Sequence, residues 1–237
     1  MEYLDMLSAL GIGSAHPGGF AATLSQLEQF PIPAGARVLE VGCGTGRTTC
    51  YLAKMGCRMV GLDIRQDMLK KAALRANAEG LDVQFVHGDA AALPFENETF
   101  DVVFAESVTN FVNAEKALSE YYRVLAPGGV LYDREVMITR PLDEESLTAV
   151  YRFFGMESAY SEAEWLRLLG STGFKSSEVS GLIRFAENMT DEIPDHFQFP
   201  DAGTITDFRI WQTVLKHDDL IVEHRENLGS GILIARK

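Results

Sequence analysis

The stretch that most restricts what this chain can fold into is "VLEVGCGTGRTTCYLA", residues 38–53. An apolar run passes through glycines at 42, 44 and 46 directly into residues at helical spacing. A strand that turns at once into a helix belongs to a crossover, and crossovers build parallel sheets. Glycines at such a turn let the backbone approach a ligand closely, and the helix start presents unpaired N–H groups.

The rest of the first half repeats the unit. "RVLEVGC" (37–43), "RMVGLDI" (58–64), "VQFVHGD" (83–89), "FDVVFAESV" (100–108) and "GVLYDREVMI" (129–138) are runs that can be buried on both faces. They predict five parallel strands with helices between them. In "NAEKALSEYYRVLAPGG" one face carries Ala114, Ala117, Leu118, Tyr121 and Leu125, and the helix is expected to stop at the Pro-Gly-Gly, with Gly128 and Gly129 in a tight connection. Beyond residue 140 come "DEESLTAVYRFFGM" and "SEAEWLRLLGSTGF", both helical, the second opened by a capping box of Ser161 and Glu164. "SSEVSGLIRF" reads as a strand and "ENMTDEIPDHFQFPDAGT" as a loop; Ile205, Phe208, Trp211 and Leu215 share a helical face, and "GILIARK" is a last strand that pairs with "SSEVSGLIRF" at the sheet edge. One domain is expected over 1–237: an N-terminal lid (1–36), a core (37–138), and substrate-side helices with the last two strands (139–237).

Composition excludes several classes. A formal charge of −13 with no Lys/Arg stripe argues against nucleic acid. The apolar runs are too short to span a bilayer, and the acidic start does not read as a secretory signal, so stable membrane insertion is not expected and a cytoplasmic location is. Cys43, Cys50 and Cys57 form no CxxC pair and have no histidine beside them, so no metal site is expected. Oligomeric state is left open between monomer and homodimer.

The glycine spacing is GxGxG, which departs from the GxGxxG of a dinucleotide pyrophosphate loop and argues against a nicotinamide-dependent oxidoreductase. Asp63 ends the second strand about 20 residues past the loop, where a carboxylate can accept both hydroxyls of a ribose. Asp89 ends the third strand, where it can accept from an exocyclic adenine amine, and Glu40 precedes the loop. Acids at successive strand ends point to a nucleoside-containing ligand. As a strand-end acid, Asp63 is expected to be exposed and to add little to the core.

In order and spacing, "VLEVGCGTG", "GLDI", "GDAAALPFENETFDVVFAESV" and "RVLAPGGVLYD" resemble the successive motifs of class I S-adenosylmethionine-dependent methyltransferases. The resemblance implies an α/β fold, a doubly wound seven-stranded Rossmann-like sheet with its last strand antiparallel and a helical cap over the carboxyl ends of the strands. It also implies S-adenosyl-L-methionine as donor and S-adenosyl-L-homocysteine as product. Glu40, Gly42, Gly44 and Gly46 would border the methionine part, Asp63 the ribose, and Asp89 with Ala90 the adenine. Cys43, Ile64 and Met68 would be further cofactor neighbours, and Glu106 would face the junction of cofactor and acceptor.

The acceptor is not implied by the resemblance. A small molecule is expected; a quinone precursor is the alternative, because "GDAAALPFENETFDVV" is similar to the corresponding stretch of menaquinone and ubiquinone C-methyltransferases, and a non-catalytic cofactor-binding module is the reading from another class. His16, Glu106 and Tyr132 are the candidate catalytic residues, with Asn110, Glu135, Tyr151 and His196 as further candidates on the acceptor side. Among the aromatics, Tyr151, Phe153, Phe154, Trp165, Phe197, Phe199, Phe208 and Trp211 are divided between core packing and an acceptor pocket. "GIGSAHPGGF" (11–20) precedes the sheet, so it is not the nucleotide cradle; it is expected to be an entry segment hinged at Gly11, Gly13, Gly18 and Gly19 that brings His16 to the site.

Overall fold

A computed structural model describes residues 1–187 and 193–237. The helices α1 (Tyr3–Leu10) and α2 (Gly19–Gln29) lead into β1 (Arg37–Val41), α3 (Arg47–Lys54), β2 (Arg58–Asp63), α4 (Gln66–Ala78), β3 (Gln84–His87) and β4 (Phe100–Glu106). Then follow α5 (Ala114–Val124), β5 (Leu125–Ile138), α6 (Glu144–Phe154), α7 (Glu162–Thr172), β6 (Ser176–Arg184), α8 (Phe208–His224) and β7 (Leu228–Arg236). The strands form one seven-stranded sheet in the order β3-β2-β1-β4-β5-β7-β6. The pairs among β1 to β5 are parallel, and β7 runs antiparallel to both β5 and β6.

The last strand does pair with 176–184, but the edge is β6. β7 is inserted between β6 and β5, in register from Val130↔Arg236 to Ile138↔Leu228. Burial explains the order: eight of the nine residues of β7 are buried, whereas those of β6 are exposed or half-buried. A run such as "LGSGILIA", apolar on both faces, needs a neighbour on each side.

The Pro-Gly-Gly is also placed differently from expectation. α5 ends at Val124, and Leu125 already pairs with Phe100, so Pro127-Gly128-Gly129 form an irregularity inside β5. The backbone of Gly128 and Gly129 bonds to Lys237 there, with Gly128 at φ +80. The turn residues thus tie β5 to the chain's last residue.

Alternation along the strands sorts the core into two layers. Leu39, Val41, Leu62, Val103 and Leu131 face α5 and α7, meeting Leu118, Tyr121, Trp165 and Leu169. Val38, Met59, Val102, Phe104, Val130 and Tyr132 face α2 and α3, meeting Leu27, Phe30 and Leu52. A third cluster joins Tyr3, Met6 and Leu7 of α1 to Val150 and Phe154 of α6 and Ile210 and Leu220 of α8, capping Val136, Ile138 and Leu228 where β5 ends. The capping box of Ser161 and Glu164 is present at the start of α7.

The stripe of Ile205, Phe208, Trp211 and Leu215 points outward, with Trp211 45% exposed and Phe208 71%, so these two aromatics are not core. α8 docks through Ile210, Thr213, Leu220 and His224, and Ile205 lies ahead of it in the 3-10 turn Thr204–Thr206. Of the loop 187–204, residues 188–192 lie outside the described residues.

Candidate active site

The strand order reverses beside β1: the chain runs outward through β2 and β3, then returns to β4 on the other side. A crevice therefore opens at the carboxyl ends of β1 and β4, where doubly wound sheets bind ligands. The glycine loop lies there. Gly42, Gly44 and Gly46 all hold positive φ (+68, +53 and +74), a conformation open to glycine and strained for other residues.

Their surroundings differ. A side chain at Gly42 would collide with Val108, and one at Gly46 would meet Ala72 at 3.0 Å, but one at Gly44 would meet nothing within 4 Å. Two of the glycines are therefore needed for packing, and Gly44 is the point where the loop faces open space. Its N–H donates to Asp63 Oδ2 at 2.8 Å, and Arg65 N–H donates to Asp63 Oδ1 at 2.8 Å. Asp63 is 7% exposed, a correction to the exposed strand-end acid expected from sequence. Burial raises its pKa, against the two N–H donors that lower it.

Two more buried carboxyls stand around the loop. Glu40 accepts the Thr49 hydroxyl from α3, and burial, with Glu106 and Asp63 adding negative charge, pushes its pKa up to about 8. Glu106 accepts from Thr23 of α2 at 2.8 Å and Thr48 of α3 at 3.2 Å, and Arg134 Nε lies 3.6 Å away. Three carboxyl side chains gathered around one loop have chemistry suited to a cationic ligand, and burial makes Glu40 and Asp63 costly to charge without one.

The entry segment completes the site. His16 is buried, its Nε2 3.1 Å from Thr23 Oγ1 and 3.6 Å from Glu106 Oε1. Thr23 gives its proton to Glu106, so its oxygen can accept from His16 Nε2, while His16 Nδ1 lies 3.4 Å from the Pro17 carbonyl, which can only accept. Burial lowers the His16 pKa against the pull of Glu106, so the ring is neutral at neutral pH. Gly13 packs so closely on Thr45 of the glycine loop that a side chain would collide with it, and one at Gly11 would come within 2.7 Å of the Phe199 carbonyl.

Residues 193–201 form a strap over this segment, held by three cations. Arg75 makes a two-pronged bridge to Asp195 and bonds the Thr45 carbonyl. Arg47 donates to the carbonyls of Ile193 and Pro194 and stacks on Phe20 at 4.2 Å. Lys71 bonds Ser8 O, Phe199 O and Asp201. The sequence reading missed these cations, although Lys71 and Arg75 stand out as charges on the buried stripe of α4 with Met68, Ala72 and Ala76.

The other candidates are distributed as follows. Asp89 is exposed and caps Ala91 N–H at 2.8 Å, with Ala90 buried beside it. Ile64 is 60% exposed at the carboxyl end of β2; Cys43 is buried in the loop, and Met68 is buried near α1. Tyr132 does not join the cluster. Its ring packs against Phe30 and Phe104, and the charge its phenol feels is Arg236, which pairs with Val130 at the opposite end of β5. The Tyr151 hydroxyl accepts Ala159 N–H, and His196 is exposed. Asn110 and Glu135 are buried behind the loop that follows β4.

Comparison with known proteins agrees with this geometry. The Methyltransferase domain family matches residues 39–133. The chain is 33% identical over 236 residues to the uncharacterized methyltransferase YodH of Bacillus subtilis (strain 168), covering 100% of this chain and 99% of that one. It is 41% identical over 124 residues to the demethylmenaquinone methyltransferase of Thermus thermophilus, covering 51% of this chain and 55% of that protein. In fold it is similar to phosphoethanolamine N-methyltransferase 2 of Haemonchus contortus, solved in complex with S-adenosyl-L-methionine, with a TM-score of 0.79 at 21% identity over 99% of this chain and 57% of that one. The chain thus spans just over half the length of the last two and nearly all of YodH. An open Gly44 among three buried acids, at the switch point of a sheet in this strand order, is in keeping with those matches: the chain belongs to the class I S-adenosylmethionine-dependent methyltransferases.

Proposed function

We propose that this methyltransferase acts on a small-molecule acceptor enclosed beneath α2 and the 193–201 strap. One observation carries the reading: both coverings are fastened down beside the glycine loop, the strap by Arg75 and Arg47 to Asp195, and α2 by Thr23 to Glu106 and by Arg134 to Gln26 and the Ala22 carbonyl. A covered site favours an acceptor that can be surrounded over one that must lie along an open groove. The net charge of −13 further disfavours a polyanion.

The residues fit the donor. Gly44 would let the backbone approach it, and Glu40 with Cys43 would lie beside its ammonium-bearing end. Asp63 would take the ribose hydroxyls, Ile64 and Met68 would offer apolar contact, and Asp89 with Ala90 would border the adenine. When bound, S-adenosylmethionine supplies a methyl group on a sulfonium, already electrophilic, so the protein's work is alignment and exclusion of water. Glu106 stands where it can face both donor and acceptor. His16, held beside Glu106 through Thr23, is the nearest titratable ring for an acceptor that must lose a proton, and would do so by giving up its contact with Thr23 or Pro17. We place the reaction in the cytosol, in keeping with three buried free cysteines; among the described residues no helix is long and apolar enough to cross a membrane.

The runner-up acceptor is a prenylated quinone precursor. It is supported by the similarity to the Thermus protein and by the apolar side chains that Ile205, Phe208, Trp211 and Leu215 expose.

The test is methyl-labelled donor added to a cell extract separated into small-molecule, membrane, protein and nucleic-acid fractions. Label in the water-soluble small-molecule fraction supports the reading. Label in the membrane lipids would favour the quinone precursor, and label in protein or nucleic acid would overturn both.

A further inference from the structure

Behind the site, β5 carries two acids that the reading above does not use. Asp133 and Glu135 are both fully buried, on the strand face toward α5. Glu135 Oε1 accepts the N–H groups of Val108 at 2.8 Å and Thr109 at 2.7 Å, and Oε2 accepts that of Asn110 at 3.2 Å. These are consecutive donors at the start of the 3-10 turn Thr109–Phe111, which follows β4. A turn start leaves such donors without internal partners, and one carboxylate gathers all three. Asn110 returns the grip: its Oδ1 accepts Val136 N–H at 2.9 Å, and its Nδ2 donates to Ser158 O at 2.9 Å.

Asp133 completes the arrangement. Its Oδ2 accepts the Thr109 hydroxyl at 2.7 Å, and its Oδ1 meets no donor among the described residues. The two carboxyls lie within hydrogen-bonding reach of each other, and burial raises the pKa of both. Tyr121 of α5 faces the pair, its hydroxyl 3.3 Å from Thr109 Oγ1, with Asp89 close enough to act on that phenol. β7 places Leu233 and Gly231 opposite the two acids, and α7 adds Trp165 and Leu169 to the layer they sit in. No cation bonds either acid among the described residues. One proton shared by the pair satisfies all these atoms. It lies between Asp133 Oδ1, which has no other donor among the described residues, and Glu135, whose three N–H groups steady the one negative charge the pair keeps.

What the pair holds is next to the chemistry. Ser107 lies between Glu106 and the anchored N–H groups at φ +55, a strained value for a residue other than glycine, and its N–H bonds Arg134 O at 2.7 Å. The Val108 side chain is the one that a side chain at Gly42 would strike. The anchored loop and the glycine loop are therefore in contact.

We propose that Asp133 and Glu135 are positioning residues: a proton-sharing carboxyl pair that fixes loop 107–111, and with it the placement of Glu106 and the seat of Val108 against the glycine loop. The effect on the cofactor rests on the cleft taking S-adenosylmethionine; the shared proton does not. Asp133→Asn puts an amide N–H where the shared proton lies, so it leaves affinity for S-adenosylhomocysteine within about threefold of wild type. Glu135→Gln removes the charge and leaves one good acceptor for three donors, so affinity falls on the order of tenfold or more well below the melting temperature. Should Glu135→Gln not fold, Glu135→Asp, with the charge kept one methylene short, takes its place and shows a smaller loss. The infrared spectrum near neutral pH supplies a readout free of the cofactor: wild type minus Asp133→Asn loses one protonated-carboxyl band, while Glu40 cancels.

Equal losses in the two variants, or a full-affinity Glu135→Gln, would overturn the positioning role. A difference spectrum without that band would overturn the shared proton. Wild-type protein that did not bind S-adenosylhomocysteine would overturn the cofactor reading instead, leaving the band to decide the proton.

Discussion

Arg75 of α4 grips Asp195 with both arms of its guanidinium, Nη1 to Oδ1 at 2.9 Å and Nη2 to Oδ2 at 2.6 Å, while its Nε holds the Thr45 carbonyl at 2.9 Å. One side chain thus joins the strap to the glycine loop. Asp195→Asn would leave Arg75 and Arg47 buried without their carboxylate, a change that costs up to about 3 kcal/mol when a buried pair is broken. The strap is expected to open locally rather than the whole fold melting. Hydrogen exchange should show faster exchange over 193–201, with faster release of S-adenosylhomocysteine; unchanged exchange would contradict the latch. Burial alone would raise the Asp195 pKa, but Arg75, Arg47 and the Phe197 N–H hold it below the ordinary value. A depressed carboxylate contributes above its unfolded pKa, so the latch holds at neutral pH and weakens only as pH falls through the lowered value.

Glu40 gives a pH dependence of opposite sense. With its pKa pushed up to about 8, it is largely protonated in the cofactor-free protein at neutral pH. A raised acid contributes stability below its unfolded pKa and loses it as pH rises through about 8. A cationic ligand favours the charged form, so binding of S-adenosylmethionine should release a proton, and affinity should rise with pH until it levels off near 8. Calorimetry in buffers of different ionisation enthalpy measures the proton directly. Glu40→Gln should abolish the release; a proton count of zero in wild type would remove Glu40 from the donor site.

Asp63→Asn keeps the shape of the side chain but replaces one of the two oxygens that accept the Gly44 and Arg65 N–H groups with a donor. Loss of the charge should weaken S-adenosylhomocysteine binding by about tenfold to a hundredfold, for one weakened hydrogen-bond set of about 1.5–3 kcal/mol. Melting should move by only a few degrees. Unchanged affinity would mean that Asp63 does not meet the ribose.

Much of the frame was legible in the chain. Val38 to Val41, Met59 to Asp63 and Phe100 to Glu106 are runs whose alternation and glycine spacing are local properties, and local properties can be read in order along a sequence. The helix faces of α5 and the capping box at Ser161 are local in the same way. The contacts between distant segments were not legible. Asp195 and Arg75 are 120 positions apart, and no period links them. Whether the face shared by Phe208, Trp211 and Leu215 meets the core is not legible either, because periodicity shows which residues share a face and not what that face meets. The place of Tyr132 is not legible in this way either, because alternation sets the side of the sheet on which a residue lies, while the direction its ring leans along the strand depends on Phe30 and Phe104.

Gly44 is the point of the glycine loop that faces open space, and so the place where a cofactor backbone contact would be lost first. Gly44→Ala adds one methyl group that meets nothing in the protein itself and accepts a left-handed backbone at a cost of about 1–2 kcal/mol. The direct measurement is calorimetric titration of wild type and Gly44→Ala with S-adenosylhomocysteine, with melting curves taken in parallel. Wild type should bind tightly, and the variant, still folded, should lose at least about tenfold in affinity. Equal affinity in the two proteins would place the cofactor elsewhere.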